Sequence, residues 1–311
     1  MSLVSIHNLN FTYPGRYDPV FAHADAQLDT RWKLGLTGRN GRGKTTLLHL
    51  LDGSLDAGGA IAGAPGGGYF PGAVPDFGLP LGEAAATLCD APDWQIAREL
   101  GKLGLPPEKL AQPFGSLSPG EQTRALLAVL FLQPGAWPLI DEPTNHLDDD
   151  GRARLGRYLK TQKTGLLLIS HDRYFMDHVC DHMAELLLGT IETYDGNYTR
   201  YMQQRTQRFE IRMKAYEMQQ KEIARQEAII ARYRAFNREK SIRAAESREK
   251  RLEKMERLEK PVEEGAIHFR FDIRRRTGED VLMGEELQKG YGDRVLFSHV
   301  KLHLRAGDRV A

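Results

Sequence analysis

The stretch Gly38-Arg39-Asn40-Gly41-Arg42-Gly43-Lys44-Thr45 decides the fold, because it satisfies the phosphate-loop pattern G-x-x-x-x-G-K-[ST]. An apolar stretch precedes it and a helix-like stretch follows it, as the pattern requires. Its glycines let the chain curl around a polyphosphate, and the next helix N-terminus adds N–H donors. Lys44 can reach the outer phosphates, and the Thr45 hydroxyl can hold Mg²⁺. The sequence therefore predicts a nucleoside triphosphate site formed by Gly38, Arg39, Asn40, Gly41, Arg42, Gly43, Lys44, Thr45 and Thr46.

A helix start follows further along the chain, at residues 117–122. Ser118 with Glu121 three residues later forms a capping box, and Pro119 occupies the first helical position. An apolar run at 125–132 indicates that this helix is buried. Taken alone, the segment is a well-formed helix start and as often structural as functional.

Two apolar strands downstream end in side chains that suit phosphate chemistry. The first ends in Asp141 and Glu142, which point to opposite sides of a strand and need not share a role. Asp141 is suited to a Mg²⁺ shell, and Glu142 to polarising an attacking water. The second strand, 166–169, precedes His171. Because ligands gather at the carboxyl ends of parallel strands, we expect His171 beside the carboxylates and the phosphate loop.

The order of these segments resembles the ATP-binding-cassette superfamily, and Asp-Glu-Pro-Thr-Asn-His-Leu-Asp at 141–148 resembles its ABC-F branch of soluble translation factors and ribosome-protection ATPases. The resemblance implies ATP and Mg²⁺ as cofactors and His171 as the switch histidine. It also implies that an upstream aromatic stacks on adenine, for which Tyr13 is the first choice and Tyr17 the second. The implied signature residues, which would serve ATP held by a partner cassette, are Ser118, Gly120 and Glu121.

Three positions depart from the family pattern. Gly72 stands where the family often has a glutamine, which leaves a Mg²⁺ or water contact without its usual residue. Pro119 replaces a signature glycine, and we expect the Ser118 and Gly120 donors to remain. Pro138 lies in the predicted strand before Asp141, where it would remove a ladder hydrogen bond unless the strand bulges there or the position is unpaired.

Composition and cysteine usage describe an ordinary globular chain without export signals. The 311 residues are 41% hydrophobic and 27% charged, which suits about two folded domains. The only cysteines, Cys89 and Cys180, match no metal spacing and indicate a reducing compartment. No apolar run reaches the length of a membrane span, and the first residues do not resemble a leader peptide. We therefore expect a cytoplasmic protein without membrane contact.

A basic, glycine-free and proline-free stretch follows the first domain. From Arg200 to Lys260 the sequence has 18 lysines and arginines against 10 acids, although the whole chain carries a net charge of only +1. Apolar residues recur every seven positions, which predicts a helix packed along a seam. We expect a helical hairpin with a first arm from about Tyr198 to Phe236 and a shorter return arm. The seam residues of the first arm are Met202, Phe209, Tyr216, Ile223 and Ile230, and those of the return arm are Ile242, Ala245, Leu252, Met255 and Leu258.

The hairpin tip carries five basic residues with aromatic side chains between them. Composition alone favours a solvated charged face over a nucleic-acid site. In the ABC-F family, however, such a hairpin joins two cassettes and reaches transfer RNA on the ribosome, so the resemblance favours RNA contact. The candidate RNA contacts are Arg232, Arg234, Arg238, Lys240 and Arg243.

The end of the chain repeats its beginning. Residues 286–291 parallel 8–13, and 304–311 parallel the approach to Gly38, so we expect the start of a second cassette in a fragment that stops before its own phosphate loop. The predicted fold is α/β: a P-loop ATP-binding-cassette domain, an antiparallel α-helical hairpin linker, and the opening β-strands of a second cassette. The predicted domain ranges are 1–192, 193–262 and 263–311.

The resemblance implies an ATPase that acts on the ribosome as a translation factor or in antibiotic resistance. Because each ATP in this superfamily lies between two cassettes, we expect a second cassette or a second copy of the chain to complete the site. The alternatives are the ATPase subunit of a membrane transporter, against which the hairpin argues, and an ATP-binding fragment without turnover.

Overall fold

The computed structural model describes residues 3–64, 66, 68–72, 76–135, 137–187, 189–235, 239–261, 278–292 and 294–310. They fall into two compact units, Met1–Pro261 and Val262–Ala311, each described by itself. The first unit is a mixed α/β domain continued by a long helical hairpin, and the second is a two-stranded sheet. The predicted fold class is confirmed. The three domain ranges stay predictions.

Among the described residues of the first unit, nine strands form two sheets. In chain order they are β1 Leu3–Phe11, β2 Phe21–Asp29, β3 Lys33–Thr37, β4 Gly58–Ala62, β5 Tyr69–Phe70, β6 Leu139–Asp141, β7 Leu166–Ile169, β8 His182–Leu187 and β9 Thr190–Asp195. One sheet has the order β5-β6-β7-β3-β8-β9, parallel except for β9 at its edge. The other is antiparallel, with the order β2-β1-β4.

Helices pack beside the larger sheet, and the last two form the hairpin that follows the domain. In chain order they are α1 Lys44–Asp52, α2 Leu81–Leu88, α3 Asp93–Lys102, α4 Pro119–Leu130, α5 Asp149–Thr161, α6 Arg173–Val179, α7 Tyr198–Ala235 and α8 Glu239–Glu253. Two short 3₁₀ turns, Pro107–Ala111 and Phe114–Ser116, precede α4. In the part of the chain that the structure describes, every helix is too short or too polar to cross a membrane.

The central strands are buried on both faces, which explains their continuous apolar sequences. In β7, Leu166 and Leu168 belong to a core on the helical side, whereas Leu167 and Ile169 belong to a core shared with the antiparallel sheet. All four side chains are at most 2% exposed. This double burial fixes the height of each strand end and therefore the position of the residues that follow it.

Strand order brings the predicted site together. The strands β6, β7 and β3 are neighbours in the sheet, and all three are parallel. Their carboxyl ends carry Asp141 and Glu142, then His171, then the phosphate loop. The sheet therefore brings together residues that are far apart in the sequence: Gly38 and His171 are separated by 133 positions.

Pro138 lies outside the strand in which the sequence placed it. The strand β6 begins at Leu139, whose N–H donates to Gly68 O at 2.9 Å. The carbonyl of Pro138 accepts from Leu167 N at 2.8 Å. The strand starts one residue after Pro138, which agrees with the alternative of an unpaired position and not with a bulge.

The helical hairpin matches its predicted length within the described residues. Helix α7 has 38 residues, about 57 Å at 1.5 Å per residue, and Phe236 lies outside the described residues. Packing and side-chain bonds join it to α8 and the turns beyond; for example, Arg248 donates to Gln226 Oε1 at 2.7 Å. The predicted seam is buried at Ile223, Ile230 and Ala245.

The seam prediction was wrong at the first residue of the first arm and at the last residue of the return arm. Met202 is 36% exposed, because α7 there packs on the domain through the neighbouring Tyr201, which is 3% exposed. Leu258 is 44% exposed and lies beyond the end of α8. Phe209, Tyr216, Leu252 and Met255 are half-buried, and the side chain of Ile242 lies outside the described residues.

The second unit reproduces the first hairpin of the chain. Its strands, β10 Asp280–Tyr291 and β11 Arg294–Arg305, pair antiparallel. Register shifts follow Gly284 and Leu287, as they follow Ile6 and Leu9 in β1. Left-handed residues recur as well: Asn8 (φ 50°) and Glu286 (φ 51°) occupy equivalent bulges. The repeat detected in the sequence is therefore also a repeat of backbone irregularities.

Candidate functional site

Glycine backbone geometry shapes the phosphate loop. Gly41 and Gly43 have φ angles of 78° and 96°, in the left-handed region that other residues adopt with strain. A Cβ at Gly43 would also lie 2.3 Å from Val20 Cγ1, so that position admits no side chain. Gly43 is the N-cap of α1, and the turn therefore aims the helix N-terminus at the loop's interior.

Lys44 lies inside this loop and is held by its oxygens. Its Nζ donates to Gly38 O at 2.8 Å and to Arg39 O at 3.3 Å, and Asn40 Oδ1 lies at 3.5 Å. Burial lowers the pKa of Lys44, and the charges of Glu142 and Asp141 oppose that shift. The backbone carbonyls of the loop thus hold the ammonium in place within the loop.

A cleft of about 330 Å³ opens over the loop. Most predicted nucleotide-binding residues line it, but Gly38, Arg39 and Arg42 are not among the lining residues. The lining also includes Arg16 and Val20, which the sequence analysis missed because no motif marks them. The complete lining is Tyr13, Arg16, Val20, Asn40, Gly41, Gly43, Lys44, Thr45, Thr46, Asp141, Glu142, Ile169 and His171.

Thr45 and Asp141 form the oxygen pair expected of a magnesium site. The Thr45 hydroxyl donates to Asp141 Oδ2 at 2.7 Å, which joins α1 to the end of β6. Among the described residues there is no cluster of three or more His, Cys, Asp or Glu that could hold a metal ion. This donor set fits Mg²⁺, which proteins usually hold through one or two side chains together with substrate phosphates and water.

Glu142 is fixed in position with one oxygen unused. Its N–H donates to Ile169 O at 2.9 Å, and its Oε2 accepts from His171 N at 3.2 Å. Its Oε1 is buried and accepts no hydrogen bond from the described residues, although His171 Nε2 lies 3.6 Å away. Burial raises the pKa of Glu142, while the hydrogen bond from the His171 backbone opposes the rise. The backbone of Glu142 is left-handed, with φ 48°, a strained geometry that is common at functional sites.

Tyr13 is tied to the helix that follows the loop. Its hydroxyl lies 2.9 Å from the Thr46 hydroxyl, and its ring packs edge-on against Phe11 at 4.9 Å between centroids. The second choice for an adenine platform, Tyr17, is fully exposed and does not line the cleft. The geometry favours Tyr13.

The predicted signature residues lie away from this cleft. Ser118 caps α4, and the reciprocal bonds of the capping box are present, with Ser118 N donating to Glu121 Oε2 at 2.9 Å. That backbone hydrogen bond lowers the pKa of Glu121. A Cβ at Gly120 would lie 2.8 Å from His146 O, so the helix start packs closely against the segment after β6. None of the three lines the cleft.

Gly72 offers no side chain to the site. It follows the cis peptide Phe70–Pro71 and is not among the residues that line the cleft. A Cβ at Gly72 would lie 2.5 Å from Tyr69 O, so a glutamine could not be placed there without moving the backbone. In this backbone, the turn leaves no room for a side chain at Gly72.

The candidate RNA contacts are only partly described. Arg232 and Arg243 are exposed, and Arg234 is 63% exposed while it pairs with Glu249 at 2.8 Å. The side chains of Arg238 and Lys240 lie outside the described residues. Within the hairpin, Glu249 therefore competes with any RNA phosphate for Arg234.

Comparison with known proteins finds relatives along most of the chain. A family model described as "ABC transporter" matches residues 184–271. The chain is 32% identical to "Probable ATP-binding protein YheS" of Escherichia coli K12 over 93% of this chain and 51% of the relative. It is 30% identical to "Ribosome protection protein VmlR" of Bacillus subtilis strain 168 over 97% of this chain and 57% of the relative. It is 29% identical to "ABC transporter F family member 5" of Arabidopsis thaliana over 76% of this chain and 34% of the relative. The chain belongs to the ABC-F family.

Solved structures share the fold of this chain over about two thirds of its length. "Structure of ATP binding subunit of ABC transporter" aligns with a TM-score of 0.54 at 20% identity, over 62% of this chain and 90% of that chain. "Structure of a bacterial Atm1-family ABC exporter with ATP bound" aligns with a TM-score of 0.57 at 19% identity, over 65% and 40% respectively. At such identities the likeness shows the fold alone. The chain spans about a third to just over half of the length of the three relatives, between 34% and 57%.

Proposed function

We propose that this protein binds ATP and Mg²⁺ in the cleft over the phosphate loop, hydrolyses the ATP, and uses that cycle in the cytoplasm on the ribosome. The observation that carries the proposal is the convergence of Lys44, the Thr45–Asp141 pair and Glu142 around one cleft. Each of these groups suits a different part of a nucleoside triphosphate. The ABC-F relatives support the same nucleotide.

The loop residues would bind the phosphates. The N-terminus of α1 supplies N–H donors, and the Lys44 ammonium, held at Gly38 O, supplies a charge that can move to a phosphate oxygen. Thr45 and Asp141 would hold the Mg²⁺, which supplies charge neutralisation at the outer phosphates. Tyr13, fixed by Thr46, offers the base an aromatic surface.

Glu142 is suited to act as the general base. One of its oxygens is oriented by His171 N, and the other is buried and accepts no bond from the described residues, so it is free to accept a water proton. The imidazole of His171 lies 3.6 Å from the same carboxylate at the rim of the cleft. Together they would orient the attacking water, a geometric role that needs no covalent intermediate.

Hydrolysis requires a second set of signature residues. Ser118, Gly120 and Glu121 do not line the cleft that contains Lys44. A second cassette, or a second copy of this chain, would therefore bring its own signature helix to the ATP. Turnover by this chain alone depends on such pairing.

Action on the ribosome is the most distant step of the proposal. One relative is named a ribosome protection protein, and α7 carries exposed cations toward the hairpin tip. Arg232, Arg234 and Arg243 suit phosphate contacts with transfer RNA or ribosomal RNA, as do Arg238 and Lys240 by sequence.

Ribosome co-sedimentation tests the proposal as a whole. With a non-hydrolysable ATP analogue and Mg²⁺, the wild-type chain should pellet with ribosomes, and Lys44→Ala should remain in the supernatant. Equal pelleting with and without the analogue would show that ribosome binding does not depend on the nucleotide. If the chain binds the analogue but never pellets, the ATPase-subunit alternative gains support and the ribosomal role fails.

A further inference from the structure

The base of the helical hairpin is fixed to the domain by a buried ion pair. Glu185 on β8 is 2% exposed, and Arg205 of α7 donates from Nε to its Oε1 at 2.7 Å. The hydroxyl of Tyr194 on β9 lies 3.3 Å from the other oxygen and 3.1 Å from Glu192 Oε2. Because a buried carboxylate is costly without its partner, the position of Arg205 is coupled to the position of this strand.

The same strand, β8, lies beside the start of the phosphate loop. It pairs in parallel with β3, and Glu185 is in register with Thr37, the residue before Gly38. Gly38 has a φ of 150°, and a Cβ there would lie 2.9 Å from Leu186 O. The loop therefore begins in direct backbone contact with the residue that follows Glu185.

Gly38 in turn holds the loop's ammonium. Its carbonyl accepts from Lys44 Nζ at 2.8 Å, the shortest of the Lys44 contacts within the loop. A displacement of β8 would move this carbonyl, because β3 is paired with β8 up to Thr37, the residue before Gly38. The contacts thus run without interruption from α7 through β8 to Lys44.

We propose that Arg205 is a positioning residue for the phosphate loop: through Glu185 and β8 it sets the place of Gly38 and Lys44. The inference rests on the proposed ATP site and adds the helical hairpin to it. Coupling between two sites is reciprocal, so ATP at the loop must also stabilise the base of α7 to the same extent. The hairpin is therefore an element that responds to the nucleotide.

A second ion-pair group on the same helix provides a matched control. Arg212 pairs with Glu192 on β9 at 2.7 Å, and its side chain is 56% exposed. The strand β9 is at the edge of the sheet, one strand further from β3. Arg212→Gln removes the same charge from the same helix and leaves the Arg205–Glu185 bond in place, although Glu192 is the cross-strand neighbour of Glu185 and shares the Tyr194 hydroxyl with it.

The test compares Arg205→Gln, Arg205→Lys and Arg212→Gln in the full chain. A fluorescent ATP analogue, mant-ATP with Mg²⁺, measures affinity, and amide hydrogen exchange in the absence of nucleotide measures protection of residues 34–44. Arg205→Gln should weaken mant-ATP binding by about fivefold or more, the lower range of measured site-to-site coupling. It should also raise exchange at 34–44 and leave residues 81–102 of the distant helices unchanged. Arg205→Lys should restore part of both effects, and Arg212→Gln should match the wild type.

The outcomes separate this inference from the proposed function. If the wild type fails to bind mant-ATP, the ATP site is wrong, while the exchange of residues 34–44 still tests the link to Arg205. If Arg205→Gln does not fold by circular dichroism, the neutral pair Glu185→Gln/Arg205→Gln replaces it and should show the same rise in exchange. Unchanged exchange in a folded variant, or an equal effect of Arg212→Gln, would overturn the inference.

Discussion

Burial in one cleft shifts the pKa values of Lys44 and Glu142 in opposite directions. Burial lowers the pKa of the lysine and raises that of the glutamate, so both charged forms cost more here than in water. Each charge offsets part of that cost for the other. A triphosphate with Mg²⁺ would change this balance, because Lys44 gains an anionic partner in place of the Gly38 and Arg39 carbonyls.

Lys44→Ala should lower ATP affinity at least about tenfold, which corresponds to about 1.4 kcal/mol. The glycine turn is retained in this variant, so the thermal midpoint should change little. Isothermal titration with ATP and Mg²⁺ measures the affinity. Lys163→Ala is the matched control, because Lys163 is exposed and lies outside the cleft. Equal ATP binding by Lys44→Ala and Lys163→Ala would show that the phosphate loop is not the ATP site.

Glu142→Gln should separate ATP binding from hydrolysis. The amide keeps the shape of the side chain but cannot accept the water proton, so turnover should fall by about 10²- to 10⁴-fold. Affinity should persist, because the phosphates are bound by the loop. Phosphate release at saturating ATP, in a protein carrying the same change in any second cassette, measures the loss. Glu83→Gln, an exposed glutamate on α2, is the control, and an unchanged rate in Glu142→Gln would exclude Glu142 as the base.

Local motifs could be read from the sequence wherever one short segment determines the geometry. The phosphate loop and the capping box at Ser118 depend on neighbouring residues, and both have the predicted local structure. Arg16, Val20 and Glu185 were missed because their roles depend on which strands become neighbours. No spacing in the chain predicts that Glu185 meets Arg205 beside the phosphate loop.

At the scale of elements, helical periodicity identified α7 and only part of its packing. The heptad residues Ile223 and Ile230 are buried where α8 lies alongside, but Met202 is exposed because the base of α7 packs on strands instead. A seven-residue repeat assumes one partner along the whole helix. The change of partner, from a helix to a sheet, cannot be read from the repeat itself.

Neutralising the hairpin cations should weaken RNA binding in a salt-dependent way. If Arg232, Arg234, Arg238, Lys240 and Arg243 contact phosphates, changing all five to glutamine should flatten the slope of log K against log salt by about 0.7 to 0.9 per lost contact. ATP binding should be unaffected, because the seam residues Ile223 and Ile230 remain. Filter binding of transfer RNA and of ribosomes between low and high salt measures the slope.

A charge-matched control separates the hairpin tip from general basicity. The control set changes five cations outside the tip segment to glutamine: Lys214, Lys221, Lys250, Arg251 and Lys254. Only the tip set should alter the salt slope if contact is local. Equal slopes in both sets would make the hairpin a nonspecific basic surface, and unchanged affinity with retained helix would make it a spacer.

At the scale of the whole molecule, the sequence contains one phosphate loop and one signature helix, and the cleft is lined without the signature residues. If each ATP lies between two cassettes, as we propose, the ATP bound here would meet the α4 start of another cassette. Paired copies would have to be antiparallel, so that each loop faces the other copy's Ser118. Specific hydrolysis by this chain should thus be low and should increase with protein concentration.

Complementation between two inactive variants tests that pairing directly. Lys44→Ala retains the signature helix but loses the phosphate loop's cation. Ser118→Asp retains a good helix cap but places a negative charge where a partner's phosphate would approach. Each variant alone should be nearly inactive, whereas a mixture should regain phosphate release, because a mixed pair contains one intact loop facing one intact signature. Sedimentation velocity with ATP checks that the pairs form. If the mixture stays inactive while the wild-type rate is high and independent of concentration, one cassette completes its own site, and the separation of Ser118 from the cleft has no catalytic consequence.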